Sequence, residues 1–240
     1  MDEMNLFVNI MKKYSLDLNT EMLNKLFQYT KELIEYPVNL TAVKDYQKAF
    51  SYHIADSLIP LFSNRYFQNS ENIVDVGSGG GVPGIPIAIA FPDKKIHLVE
   101  SIKKKTDALE YFVNKLNLKN VIIYNQRIEE FSSEYRNYFD YSTCRAVARA
   151  DISLEYCAPL IKKEGYTGLY KGPLFGKQEY IYSDKACGIL NLKKEEIINY
   201  EIYDSDEKER CLVIYKKTAE TDSKYPRKSG IPLKKPLGGK

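Results

Sequence analysis

Residues 72–86 constrain the fold more than any other stretch: Asn72-Ile73-Val74-Asp75-Val76-Gly77-Ser78-Gly79-Gly80-Gly81-Val82-Pro83-Gly84-Ile85-Pro86. Ile73, Val74 and Val76 around one carboxylate read as a buried parallel strand. The glycines that follow let the backbone turn sharply and let a ligand approach without a Cβ in the way. Pro83 and Pro86 suit the first turn of a helix, where a missing N–H costs nothing. Strand, turn and helix start together predict a nucleotide-type cradle at the carboxyl end of a first strand.

Two glycine registers compete. Gly79-x-Gly81-x-x-Gly84 satisfies the dinucleotide fingerprint. Counted from the strand end, Gly77-x-Gly79-x-x-Val82 does not. The second register is better motivated, because the turn begins where the apolar run stops. It sets Asp75 two residues before Gly77, the D-x-G-x-G pattern typical of S-adenosylmethionine (SAM) binders. A carboxylate there accepts backbone N–H groups or attracts the cofactor's ammonium. A purely structural glycine turn is the bland alternative.

Beyond the loop, apolar runs and helical stripes alternate. Ile96–Val99 reads as a strand ending at Glu100, and Ser101 can cap a helix striped by Ala108, Leu109, Phe112, Val113 and Leu116. Strand candidates follow at 121–124, 139–144 and 168–170, with Asp151 opening a helix between the last two. An irregular Lys171-Gly172-Pro173 turn leads to a helix over about 179–187. Segments 197–203 and 211–215, joined by the polar 204–209, close the set. This order predicts an α/β fold: a Rossmann-like, doubly wound, mostly parallel sheet whose last strand is antiparallel.

Residues 1–65 carry helical stripes at Leu6, Ile10 and Met11, and at Leu23, Leu26, Phe27, Thr30, Leu33 and Ile34. They read as a small N-terminal helical region packed on a main domain, 66–217. A further helix from about Gln47 carries His53 and Asp56, three apart and able to share a face. A local His–Asp hydrogen bond is the simpler account of that pair, and a place at the cleft mouth the functional one. His97, inside a strand, reads as core.

At 240 residues the chain can bury one substantial core. It has no apolar run long enough to span a bilayer, and its acidic N-terminus lacks a signal-peptide pattern. Cys144, Cys157, Cys187 and Cys211 include no C-x-x-C pair, which argues against zinc or a disulfide framework and fits a reducing cytoplasm. Net charge is only +3, but residues 218–240 concentrate Lys224, Arg227, Lys228, Lys234 and Lys235 among prolines and glycines. That composition predicts an extended basic arm without regular structure, suited to phosphates. A solvated terminus is the alternative.

Ligands of such a sheet bind outside the carboxyl ends of the strands. Glu100 can accept ribose hydroxyls, for NAD and SAM alike. Ile128 and Glu129, after the third strand, suit the face and the exocyclic amine of adenine. Arg145 ends the fourth strand beside the place for a transferable methyl, and a guanidinium there calls for an anionic or aromatic partner.

Several motifs in order carry a family resemblance: Asn39-Leu40-Thr41-Ala42, His53-Ile54-Ala55-Asp56-Ser57-Leu58, the glycine loop with Pro83-Gly84-Ile85-Pro86, Arg127-Ile128-Glu129-Glu130-Phe131, Arg145-Ala146, Lys171-Gly172, and Lys224-Tyr225-Pro226-Arg227-Lys228-Ser229-Gly230-Ile231-Pro232. The chain resembles the bacterial glucose-inhibited division protein B family, methyltransferases of guanine N7 in small-subunit (16S) ribosomal RNA. The resemblance implies SAM contacts at Gly77, Val82, Ile128, Glu129 and Arg145, beside Asp75, Gly79 and Glu100 from the strand-end reading. Val82 stands where a larger Phe or Leu is usual, and Cys144 where Ser is usual. Guanine N7 carries a lone pair and no hydrogen, so no general base is expected. Arg127 and Arg145 are then positioning groups. His53, Lys171, Lys224, Arg227 and Lys228 are the candidate RNA contacts, with Lys103–Lys105 in support. The expected partner is ribosomal RNA or the small subunit, met by a cytoplasmic monomer with no metal and no membrane attachment. The competing readings are an NAD-dependent oxidoreductase and a non-catalytic RNA-binding assembly protein on the same fold.

Overall fold

The apolar stripes of the N-terminal region become α1 (Glu3–Lys13) and α2 (Thr20–Glu35) in a computed structural model that describes residues 2–172, 175, 179–203 and 209–239. Asn19 caps α2 by accepting the Met22 N–H at 2.9 Å. Tyr36, kept out of the α region by Pro37, ends it. The helix expected from about Gln47 is α3 (Tyr46–Ala49), a π-helical turn (Phe50–Ala55) and α4 (Asp56–Phe62) in succession. A π turn has a smaller angular step per residue than an α turn. His53 and Asp56, on either side of the end of that turn, take different partners: Thr41 for the one, Tyr200 and Arg145 for the other. A short α5 (Arg65–Gln68), capped by Asn64, leads to the sheet.

The glycine stretch folds as read: β1 (Asn72–Val76), a turn, and α6 (Gly84–Ala90). There follow β2 (Lys95–Glu100), α7 (Lys103–Lys115), β3 (Val121–Asn125), α8 (Ile128–Glu134), β4 (Phe139–Arg145), α9 (Ala150–Cys157), β5 (Ile161–Lys171), α10 (Glu179–Leu190), β6 (Leu192–Glu201) and β7 (Glu209–Lys217). Among the described residues the strands form one sheet in the order β3-β2-β1-β4-β5-β7-β6. β1 to β5 are mutually parallel, and β7 runs antiparallel between β5 and β6. The strand order reverses between β1 and β4, which opens the ligand crevice there. β5 and β6 are longer than their apolar centres predicted. Pro173 and the polar run 204–208 lie outside the described residues.

Alternation along β1 divides the core. Ile73 faces a cluster that joins α1, α2 and α4 to α6 and α7, through Phe7, Leu26, Leu58, Ile85 and Leu109. Val74 and Val76 face the opposite cluster, with Phe131, Leu154, Leu190 and Val213. The N-terminal helices thus share a continuous apolar layer with the sheet's own helices. No helix among the described residues is long and apolar enough to cross a membrane.

The C-terminal segment corrects the extended arm expected of it. Tyr225 is buried, and Gly230, at φ 79°, leads into α11 (Ile231–Lys234). Arg227 grips the fully buried Glu155 of α9 with two side-chain bonds, 2.8 and 2.6 Å. Asp151 of the same helix accepts the Gly238 N–H at 2.8 Å, and Arg149 bridges Asp151 to the Gly239 carbonyl. The prolines and glycines shape a strap here, because two buried carboxylates on α9 supply the partners that composition does not reveal.

Candidate cofactor and acceptor site

Three of the loop glycines stand in the left-handed region, at φ 73° for Gly77, 58° for Gly79 and 100° for Gly81. At Gly77 a Cβ would come within 2.6 Å of a Val147 methyl, so the close approach of two loops requires glycine there. The carboxylate of Glu100, at the end of β2, accepts the N–H of Gly79 at 3.0 Å and of Ile102 at 2.8 Å. From the N-terminal layer, Tyr29 donates its hydroxyl to the Gly80 carbonyl at 2.8 Å. The loop is therefore held from two sides.

Asp75 is corrected from its expected place in the ligand cavity. It shares the face of Ile73 and lies under α6, 1% exposed, with Oδ2 accepting the Gly84 N–H at 3.2 Å. Burial pushes its pKa up to about 7. Of the two roles the sequence offered it, the backbone acceptor is the one the geometry supports.

Three adjoining cavities run along the strand ends. The first, about 350 Å³, is lined by Arg127, Ile128, Glu129 and Tyr156, and by Gly230 and Leu233 of the strap. The second, about 480 Å³, is lined by Gly77 to Gly80, Val82, Thr41, His53 and Lys105. The third, about 410 Å³, holds Asp56, Tyr170, Lys171, Glu179 and Arg210. Gly77, Glu100 and Ser101 belong to the walls of the first two, and Arg145 and Ala146 to those of the last two. Val147 lines all three. Ala146 between them adopts φ 55°, a strained conformation for a residue with a Cβ.

At the seam, Arg145 donates through Nη2 to the Tyr52 carbonyl at 2.6 Å and meets Asp56 Oδ2 at 3.0 Å. Its Nη1 is buried with no hydrogen-bond partner among the described residues. The other Asp56 oxygen accepts the Tyr200 hydroxyl at 2.7 Å. His53 bonds through Nε2 to Thr41 Oγ1 at 2.7 Å, so the local His–Asp bond does not form. Burial, helped by Arg145, pushes the His53 pKa down to about 3. The ring lines the glycine-loop cavity, 9% exposed, which sets it apart from the exposed lysines of the expected RNA contacts.

The remaining expected RNA residues separate. Lys171 lines the third cavity and pairs with Glu179 at 2.7 Å. Arg227 is turned inward onto Glu155, against its expected role. Lys224 and Lys228 are exposed, Lys224 beside Asp222. Arg127, an exposed N-cap of α8, belongs to the first cavity and so stands apart from Arg145. The sequence reading missed Val147, Glu179 and Arg210, and the strap's part in the first cavity. The run Asn39-Leu40-Thr41-Ala42 was a usable signal, since Leu40 and Thr41 line the second cavity.

The donor set fits SAM. Ile128 and Glu129 offer an apolar face and a carboxylate for adenine, Glu100 stands beside the loop for ribose hydroxyls, and the Cβ-free turn admits the rest. Glycine packing does not separate the two registers: a Cβ would meet Val147 at 2.6 Å from Gly77, Ile85 at 2.6 Å from Gly81 and Leu98 at 2.3 Å from Gly84.

Residues 22–213 match the GidB family model, described as rRNA small subunit methyltransferase G. A Petrotoga mobilis protein named Ribosomal RNA small subunit methyltransferase G is 44% identical over 218 residues, covering 91% of this chain and 96% of the relative. One of the same name from Thermotoga neapolitana is 38% identical over 229 residues, 95% of this chain and 97% of the other. Among solved structures, M. jannaschii TYW2 in complex with AdoMet superposes with a TM-score of 0.52 at 17% identity, over 68% of this chain and 73% of that one. That last likeness concerns the fold alone.

Proposed function

The chain belongs to the GidB family of small-subunit ribosomal RNA methyltransferases, and on that premise we propose that it transfers a methyl group from SAM to N7 of a guanine in 16S ribosomal RNA. One observation carries the reading: the glycine-loop cavity shares its Arg145, Ala146 and Val147 walls with the third cavity, whose roughly 410 Å³ has room for a base. When bound, SAM supplies an electrophilic methyl on a sulfonium. The chain's residues have the task of alignment. Ile128, Glu129 and Arg127 hold the adenosine end, Glu100 and the Gly77–Gly80 backbone the middle, and the Arg145–Val147 seam sets where the acceptor base meets the methyl.

Proximity and orientation account for the catalysis. Guanine N7 attacks with its own lone pair, so no residue must take a proton first. Neutral His53 and fully partnered Asp56 agree with that. Arg145 is braced by Asp56 and Tyr52, and acts as a positioning group. The base would leave its stack to reach the seam, and exposed Lys224, Lys228 and Lys103 would meet phosphates. The reading is completed by a monomer acting on small subunits in the cytoplasm.

The test is methyl transfer from tritiated SAM to small subunits purified from a strain lacking the gene, followed by mapping of the labelled base. Label recovered as 7-methylguanosine at one position is expected. Label on another atom, or none, overturns the proposal.

A further inference from the structure

The third cavity contains two carboxylates, and they differ in what they leave for a ligand. Asp56 is 3% exposed, with Tyr200 on one oxygen and Arg145 on the other. Glu179 keeps 31% of its side chain exposed. Among the described residues its bonds fall on Oε2 alone, from Lys171 Nζ at 2.7 Å and the Ala150 N–H at 3.1 Å. Lys171, itself 11% exposed and tied to the Ala148 carbonyl at 3.2 Å, holds that carboxylate in place. Glu179 lines the third cavity but not the second, so it faces the acceptor side of the seam and not the glycine-loop side.

We propose that Glu179 is the specificity-determining residue of the acceptor cavity, accepting the N1–H and N2–H of the target guanine. The proposal rests on guanine N7 being the acceptor. N7 lies on the Hoogsteen edge, opposite the Watson–Crick edge. Turning N7 toward the Arg145–Val147 seam therefore turns N1–H and the 2-amino group into the third cavity, whose lining includes the Glu179 carboxylate. A carboxylate matches that donor–donor edge and repels adenine, which presents an acceptor at N1. It also contributes to the rate. Methylation at N7 makes the base cationic and its N1–H and N2–H stronger donors, so the contact tightens as the bond to carbon forms.

The experiment compares wild type, Glu179→Ala and Glu179→Gln on small subunits reconstituted with RNA carrying guanosine or inosine at the mapped position. Inosine keeps N1–H and lacks the 2-amino group. Wild type should prefer guanosine about tenfold in kcat/KM, and Glu179→Ala should lose about tenfold to a hundredfold on guanosine, with the preference collapsing toward unity. A role limited to packing would lower both substrates alike and leave their ratio intact. An unchanged ratio in the variants overturns the proposal. Should Glu179→Ala fail to fold, Glu179→Gln, which can still accept the Ala150 N–H, reads the same ratio. Absence of guanine methylation by wild type would instead overturn the function reading.

Discussion

At the scale of single residues the site depends on what Gly77 lacks. Its φ of 73° and the Val147 methyl at 2.6 Å from a would-be Cβ oppose any side chain independently. Gly77→Ala should cost about 1–2 kcal/mol through backbone strain alone. It should also shift Val147, which lines all three cavities, so S-adenosylhomocysteine affinity should fall at least tenfold by calorimetry. Val147→Ala in that background should recover part of the loss, because the clash goes and the φ penalty stays. Unaltered affinity in Gly77→Ala would show that the loop contact does not shape the trough.

At the scale of elements the C-terminal strap changes its meaning. Its lysines and arginine suggested phosphate contacts, yet Arg227 is bound to buried Glu155, and Gly230 and Leu233 wall the first cavity. Glu129 accepts the Gly230 N–H at 3.4 Å, which links the strap to the opposite lining of the first cavity. Removing residues 225–240 should therefore weaken S-adenosylhomocysteine binding by about tenfold or more, the loss of a few contacts and one charged hydrogen bond. Isothermal titration of the truncated chain checks this. An unchanged Kd with a flattened salt dependence of RNA binding would return the segment to the role of a simple basic arm.

At the scale of the whole molecule, buried ionisable groups set the pH response. Burial pushes His53 down to about 3 and His97 down to about 4, so both stay neutral in the fold and take up protons on unfolding below about pH 6.5. Their stabilisation is present above that pH and lost as pH falls. Asp75, raised to about 7, has the opposite sign: between about pH 4 and 7 the folded chain holds a proton there that the unfolded chain releases. The net is one proton gained on unfolding, a loss of about 1 kcal/mol per unit as pH falls from 6.5 to 5. Urea titrations should show that slope nearly flattened in His97→Phe and about doubled in Asp75→Asn. Parallel pH profiles for all three chains would contradict this assignment.

The sequence by itself determined the strand–turn–helix at 72–86, the order of βα units, the antiparallel last strand and the family. Those features are local or repeated: apolar runs, glycine φ and helix caps depend on neighbours a few residues away. It also placed Glu100, Ile128, Glu129 and Arg145 at strand ends, where they line the cavities along that edge of the sheet. Only the tertiary structure decided partners. Strand parity sent Asp75 under α6, Thr41 took His53 while Tyr200 and Arg145 took Asp56, and buried Glu155, 72 positions from Arg227, drew the basic tail inward. Val147 and Glu179 gained roles because loops after different strands converge on one seam. Composition states how many charges a chain carries, whereas burial and long-range closure decide which of them meet.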